Sequence, residues 1–167
     1  MRKRYKWALA ALLISLFIYV GYRTENTVIN EMLLMLISAE SFAALQSWLT
    51  QHLPLPELAI YSLPGGLWVF ASSLLASSYF LKIGKTSLNL SWVPVIFAVG
   101  LEVFQATGIT LGRFDWWDVA VSVVAWAVAR LLTMKSEKQH NILAPLTVEG
   151  ILCLLTIAIV SLAHVHR

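Results

Sequence analysis

The chain has 167 residues, of which 59% are hydrophobic and only 13% charged, with a net charge of +3 and a mean hydropathy of +0.75. A soluble globular domain carries about 45–50% apolar and about 25% charged residues, so the excess points to a membrane rather than to a large buried core. One cysteine, Cys153, excludes an intramolecular disulfide and any CxxC metal or redox site. A pI of about 9.2 does not imply nucleic acid, because the basic residues sit beside apolar runs, where anionic headgroups are the natural partners.

The N-terminus, MRKRYK, places four basic residues ahead of the apolar run at residues 7–22. That order resembles a signal peptide, but no small-x-small cleavage site follows and the run is long, so a retained first span is expected. Tyr5, Trp7, Tyr19 and Tyr22 fall near its two ends, where aromatic side chains favour the membrane–water interface. Residues 30–49 are apolar but interrupted by Glu31, Ser38, Glu40 and Ser41. The longest apolar run there is far below the roughly 20 residues a crossing needs, and a partial amphipathic pattern predicts a helix lying on the membrane surface or folded back against the bundle. Three prolines and two glycines follow between His52 and Gly66 and force a loop.

Further spans are expected at residues 66–81, 92–105, 117–132 and 146–165. Lys82 and Lys85 close the second, and the polar link MKSEKQHN separates the last two. The composition and periodicity therefore predict an all-α, polytopic transmembrane helix bundle: one membrane domain over residues 1–167, about five spans, and an amphipathic helix on the outer side. Basic residues mark the cytoplasmic side. With five spans, Arg2, Lys3, Arg4, Lys6, Lys82, Lys85, Arg130, Lys135 and Lys138 share one side, and Arg23, Arg113 and Arg167 the other. The expected topology has a cytoplasmic N-terminus. Taking residues 30–49 as a sixth span would move the two lysines outside.

One stretch departs from this apolar plan. LEVFQATGITLGRFDWWD, residues 101–118, holds a glutamate, two aspartates and an arginine between the third and fourth spans. Glu102 and Gln105 share a helix face, as do Asp115 and Asp118, and a short loop makes the two helices antiparallel neighbours. Glu102, Gln105, Arg113, Asp115 and Asp118 are thereby gathered at one end of a helical hairpin, on the outer side. Ionisable residues at such a place are paired, functional or both. Two readings stand side by side: a Glu102–Arg113 ion pair with the aspartates as helix caps, or a polar site able to hold a headgroup or polar ligand. Asp118, Ser122, Ala125 and Ala129 form a small-residue stripe suited to close helix contact. Trp116 and Trp117 are expected as interfacial anchors.

No nucleophile with an adjacent base is visible. His52, His140, His164 and His166 lack the spacing of metal ligands, and no cofactor or metal is expected.

These features resemble the VanZ-like family of small bacterial membrane proteins. The likeness rests on a glutamate and glutamine three apart in one span, a G-R-x-x-D turn that stands here as the shorter G-R-F-D, and an aspartate opening the next span; the residues are Glu102, Gln105, Gly112, Arg113, Asp115 and Asp118. It covers residues 101–132, and Ser122, Ala125 and Ala129 stand where the family tends to have Asn and Gly. The resemblance implies a bacterial inner-membrane protein of the cell envelope, associated with low-level resistance to teicoplanin-type glycopeptides, whose molecular activity is not established. Expected partners are membrane lipids, an envelope glycan or lipid precursor, or another membrane protein. A non-enzymatic role is the first expectation. A membrane-embedded enzyme on lipid-linked substrates, or a small transporter or accessory subunit, is the alternative.

Overall fold

The computed structural model describes residues 2–23, 38–110, 112–134, 139–143 and 147–165. Helices dominate: α1 (Arg2–Tyr22), α2 (Ala39–His52), α3 (Glu57–Tyr61), α4 (Leu63–Ala76), α5 (Val93–Ala106), α6 (Trp116–Thr133) and α7 (Val148–Val165). A small sheet was not anticipated from the sequence. Strands β1 (Tyr79–Ile83) and β2 (Thr86–Asn89) form an antiparallel hairpin with a two-residue turn, and β3 (His140–Asn141) pairs in parallel with Tyr79 and Phe80.

This sheet corrects the second expected span. Helix α4 stops at Ala76, and the last residues assigned to that span form a turn and then β1. Apolarity alone does not separate a helix end from a short strand; Tyr79, Phe80 and Ile83 bring the β preference of aromatic and β-branched residues. The other expected spans match α1, α5, α6 and α7 to within a few residues, apart from the helical N-terminal tail of α1. Of the expected surface segment, the described part forms α2, which begins at Ala39, where the Ser38 hydroxyl accepts the Ser41 N–H, and runs on to His52. Residues 30–37 of that expected segment, residues 135–138 of the link, and the tail at 166–167 lie outside the described residues.

Helix α4 is the centre of the fold. Nine of its fourteen residues are buried, because α1 covers one side and α6 another. The three helices meet in one buried cluster of four alanines and a leucine: Ala8 and Ala11 of α1, Ala71 and Leu74 of α4, and Ala129 of α6. The alanines let the backbones come close. At Gly66 the approach is closest: an added Cβ would run into the Val121 side chain and lie 3.3 Å from the Val121 carbonyl oxygen. On another face of α4, Trp68 and Val69 pack with Val95 of α5, and Trp68 meets Phe97 edge-on at 6.1 Å.

Contacts along the bundle define its two ends. Arg4 donates to Ser78, Arg130 donates to Ser91 at 3.5 Å, and the sheet lies beside them, so Arg4, Lys82, Lys85 and Arg130 share the sheet end. Toward the opposite end, Ser15 donates to the Pro64 carbonyl at 3.0 Å and Arg23 to the Tyr61 carbonyl at 3.2 Å. Among the described residues, two helices, Lys3–Tyr22 and Trp116–Thr133, are long and apolar enough to cross a membrane. Fourteen-residue α4 is about 21 Å long at 1.5 Å per residue.

The contact at Gly66 gives a direct prediction. Gly66→Val forces α4 and α6 apart and lowers the thermal midpoint of the purified protein, with about 1–3 kcal/mol lost to overpacking. Gly66→Ala costs less, and Val121→Ala added to Gly66→Ala recovers part of the loss.

Candidate functional site

The polar cluster expected from residues 101–118 forms at the end opposite the sheet, between the C-terminus of α5 and the N-terminus of α6. Helix α5 ends in a Schellman arrangement: Gly108 N–H donates to the Gln105 carbonyl at 3.1 Å and Ile109 N–H to the Phe104 carbonyl at 2.9 Å. That motif needs a left-handed residue, and Gly108 supplies it with φ of 72°. The chain re-enters through Gly112, with φ of 120°. A Cβ there would stand 2.6 Å from Gln105 Nε2. Gly112 is therefore required twice, once by its backbone and once by the Gln105 side chain lying against it.

Asp115 is the N-cap of α6. Its Oδ1 accepts the Trp117 N–H at 2.8 Å, satisfying one of the donors a helix start leaves open. In an ordinary capping box the third helical residue reaches back to accept the cap's own N–H. Here that residue is Asp118, but the Asp115 N–H goes to Glu102 Oε2 of α5 at 2.9 Å. Glu102 thus does from a neighbouring helix what Asp118 would do from its own. The Asp118 carboxyl group instead lies beside that of Glu102.

Glu102 is 8% exposed, Asp118 is half-buried, and Asp115 is exposed. The structure brings Glu102, Asp115 and Asp118 together, with Gln105 packed on Gly112 beside them. Arg113 is placed differently: its side chain is exposed, and Glu102 takes a backbone N–H and lies beside a carboxyl group rather than the guanidinium. The ion-pair reading of the hairpin is replaced by a backbone clasp. On α6, Ser122 and Ala129 of the small-residue stripe are buried against the bundle. Trp116 and Trp117 are 74% and 61% exposed; Phe114 meets Trp116 edge-on at 4.8 Å.

Chemically, neighbouring carboxyl groups at an open helix end can pass a proton, act as acid and base, or receive a cation or amine, while Arg113 offers a separate anion-binding group. Cys153 lies elsewhere, buried with Ala76, Tyr79, Leu90 and Ile142 near the sheet. His52 stacks on Trp48, and His140 pairs with Tyr79 in the sheet.

One feature of this end has no counterpart in the sequence reading. Arg23 is 7% exposed and its guanidinium lies 4.8 Å from the Tyr19 ring and 5.6 Å from the Tyr61 ring. Its nearest signal was Tyr19, one helical turn before it; Tyr61 is 38 residues away and arrives only through the fold.

The clasp predicts distinct costs. Glu102→Ala leaves the part-buried Asp115 N–H without its acceptor and destabilises the protein by about 1–3 kcal/mol. Glu102→Gln keeps an acceptor for Asp115, and loses less. Asp115→Ala removes the cap at about 1 kcal/mol, which Asp115→Ser restores. Thermal unfolding in detergent measures all four. Comparison with protein-family models, with curated proteins and with solved structures finds no match for this chain.

Proposed function

We propose that this chain is a VanZ-like integral protein of the bacterial inner membrane, with five spans and a cytoplasmic N-terminus. It acts in the cell envelope through the Glu102, Arg113, Asp115 and Asp118 end, which faces outward. The five spans are α1, α4, α5, α6 and α7. The observation that carries this reading is the separation of charge: basic Arg4, Lys82, Lys85 and Arg130 at one end, the carboxyl clasp at the other. Such an asymmetry follows the preference of Lys and Arg for the cytoplasmic face. Short α4 fits because protein covers it, and irregular backbone at membrane depth is tolerated where protein surrounds it.

In this reading the clasp shapes the hairpin and the exposed groups do the recognising. Arg113 and Asp115, with half-buried Asp118 beside them, meet an envelope lipid, a glycan precursor or a partner membrane protein. The phenotype implied by the resemblance is low-level resistance to teicoplanin-type glycopeptides. A second reading is favoured by the adjacent carboxyl groups of Glu102 and Asp118: a membrane enzyme on lipid-linked substrates using that pair as acid and base. It requires turnover by the purified protein that Glu102→Gln abolishes while thermal stability holds.

Arg113 gives the cleanest test, because its side chain is exposed and its loss leaves the clasp intact. Arg113→Ala keeps the wild-type thermal midpoint and expression but lowers teicoplanin tolerance of the host several-fold. Full tolerance in that variant counts against the site. The topology is tested by Thr110→Cys in a Cys153→Ala background, which reacts with an impermeant maleimide added to intact spheroplasts; reaction only after lysis overturns the outward placement.

A further inference from the structure

Helix α2 presents a surface that the polar cluster does not use. Its buried line is Phe42 and Leu49. Leu49 packs with Ile18 and Tyr22 of α1, and its side chain would stand 2.9 Å from a Cβ added at Gly21. Gln46 Nε2 donates to the Val20 and Arg23 carbonyls at 2.9 and 3.0 Å, satisfying acceptors that the end of α1 leaves open. The Tyr22 hydroxyl donates to the Leu53 carbonyl at 2.7 Å. Gln46, Leu49 and Leu53, spread over two turns, all meet residues 18–23. Helix α2 therefore crosses the last turn of α1 instead of running alongside it.

The rest of α2 is split. At about 100° per residue, Leu45 and Trp48 lie on one flank of the buried line, and Thr50, Ser47 and Gln51 on the other. Leu45 is 47% and Trp48 56% exposed. His52 shares the apolar flank with its ring stacked on Trp48 at 4.7 Å and Nδ1 2.9 Å from the Trp48 carbonyl, so it extends the aromatic surface. On α1 itself, Phe17 is 48% exposed and meets Tyr22 edge-on at 6.4 Å, so the end of α1 that α2 crosses also carries an exposed aromatic side chain. Fourteen residues span about 21 Å, short of the roughly 30 Å hydrocarbon core.

We infer that α2 is an in-plane membrane anchor, seated at the headgroup–acyl boundary of the leaflet at the Glu102 end. Leu45 and Trp48 insert into lipid, while Ser47, Thr50 and Gln51 face water. The occupant of the exposed flank is lipid because α2 is fixed across the last turn of α1, a helix long and apolar enough to cross a membrane, which sets α2 at the level where that helix ends. Tryptophan at the edge of an apolar face is the residue such a boundary favours. Helix α2 contains no Lys or Arg, so its seat depends on apolar insertion and not on anionic headgroups. By gripping the carbonyls at the end of α1, it also sets how deep that end lies. This inference rests on the membrane reading proposed above.

The test uses full-length protein in liposomes with single cysteines at Leu45, Trp48, Ser47 or Gln51, and at Val124 on the exposed side of α6, all in a Cys153→Ala background. Each is labelled with bimane and quenched by aqueous iodide or by phosphatidylcholine spin-labelled at acyl carbon 5 or 12. Expected is quenching of the Leu45 and Trp48 labels mainly by the carbon-5 label, of the Ser47 and Gln51 labels mainly by iodide, and of the Val124 label mainly by the carbon-12 label. The pattern is the same with or without phosphatidylglycerol. If iodide reaches all four α2 positions, or the carbon-12 label quenches all four, the anchor inference is overturned while Val124 still supports the membrane reading. Iodide quenching at Val124 overturns both.

Discussion

The close approach of α4 to α1 and α6 is the constraint on which the rest of the molecule depends. Gly66 lies against Val121, and Ala71 shares a buried cluster with Ala8, Ala11 and Ala129, with Leu74 of α4 filling it. Small residues at these crossings let the backbones approach closely, so that many dispersion contacts hold the helices together. With α4 held on both sides, the direction of every neighbouring helix follows. Helices α4 and α6 run in parallel, α5 returns between their ends, and the start of α6 is delivered beside the end of α5.

That delivery creates the carboxyl clasp. Helix starts carry unsatisfied N–H groups wherever they occur. Asp115 satisfies the Trp117 N–H from within α6, and Glu102 satisfies the Asp115 N–H from α5. A single acidic side chain thus caps one helix while locking it to another. Two glycines make the turn between them possible, Gly108 ending α5 and Gly112 allowing Gln105 to lie flat against the chain.

Charged groups are handled differently at the two ends. At the sheet end, arginines donate to serine hydroxyls at helix boundaries, Arg4 to Ser78 and Arg130 to Ser91. At the other end Arg23 is buried between two tyrosine rings and donates to a backbone carbonyl, a cation–π setting that holds a charge away from bulk water. Helix α2 closes the same end by taking the last carbonyls of α1 onto Gln46. Each device satisfies polar groups within the protein, which is what an apolar environment demands.

Much of this was legible before any coordinates. Run length and hydropathy located the five apolar helices, and spacing along residues 101–118 placed Glu102, Gln105, Asp115 and Asp118 at one hairpin end, because helical period and a short loop leave no other arrangement. A cap was readable at Asp115 or Asp118 from their place at the start of α6, but not which of the two supplies it. The sheet was not legible, since Tyr79–Ile83 is as apolar as the helix before it and only its pairing with β2 and β3 distinguishes it. Nor was the partner of Glu102: sequence points to Arg113, the nearest opposite charge, whereas the acceptor is taken by a backbone N–H that any residue could carry. The sequence by itself determined which segments are apolar and which polar residues fall near one another, because both depend on local order along the chain. The tertiary structure alone decided which atoms those residues bond and that α2 crosses α1, because both depend on how helices distant in sequence approach.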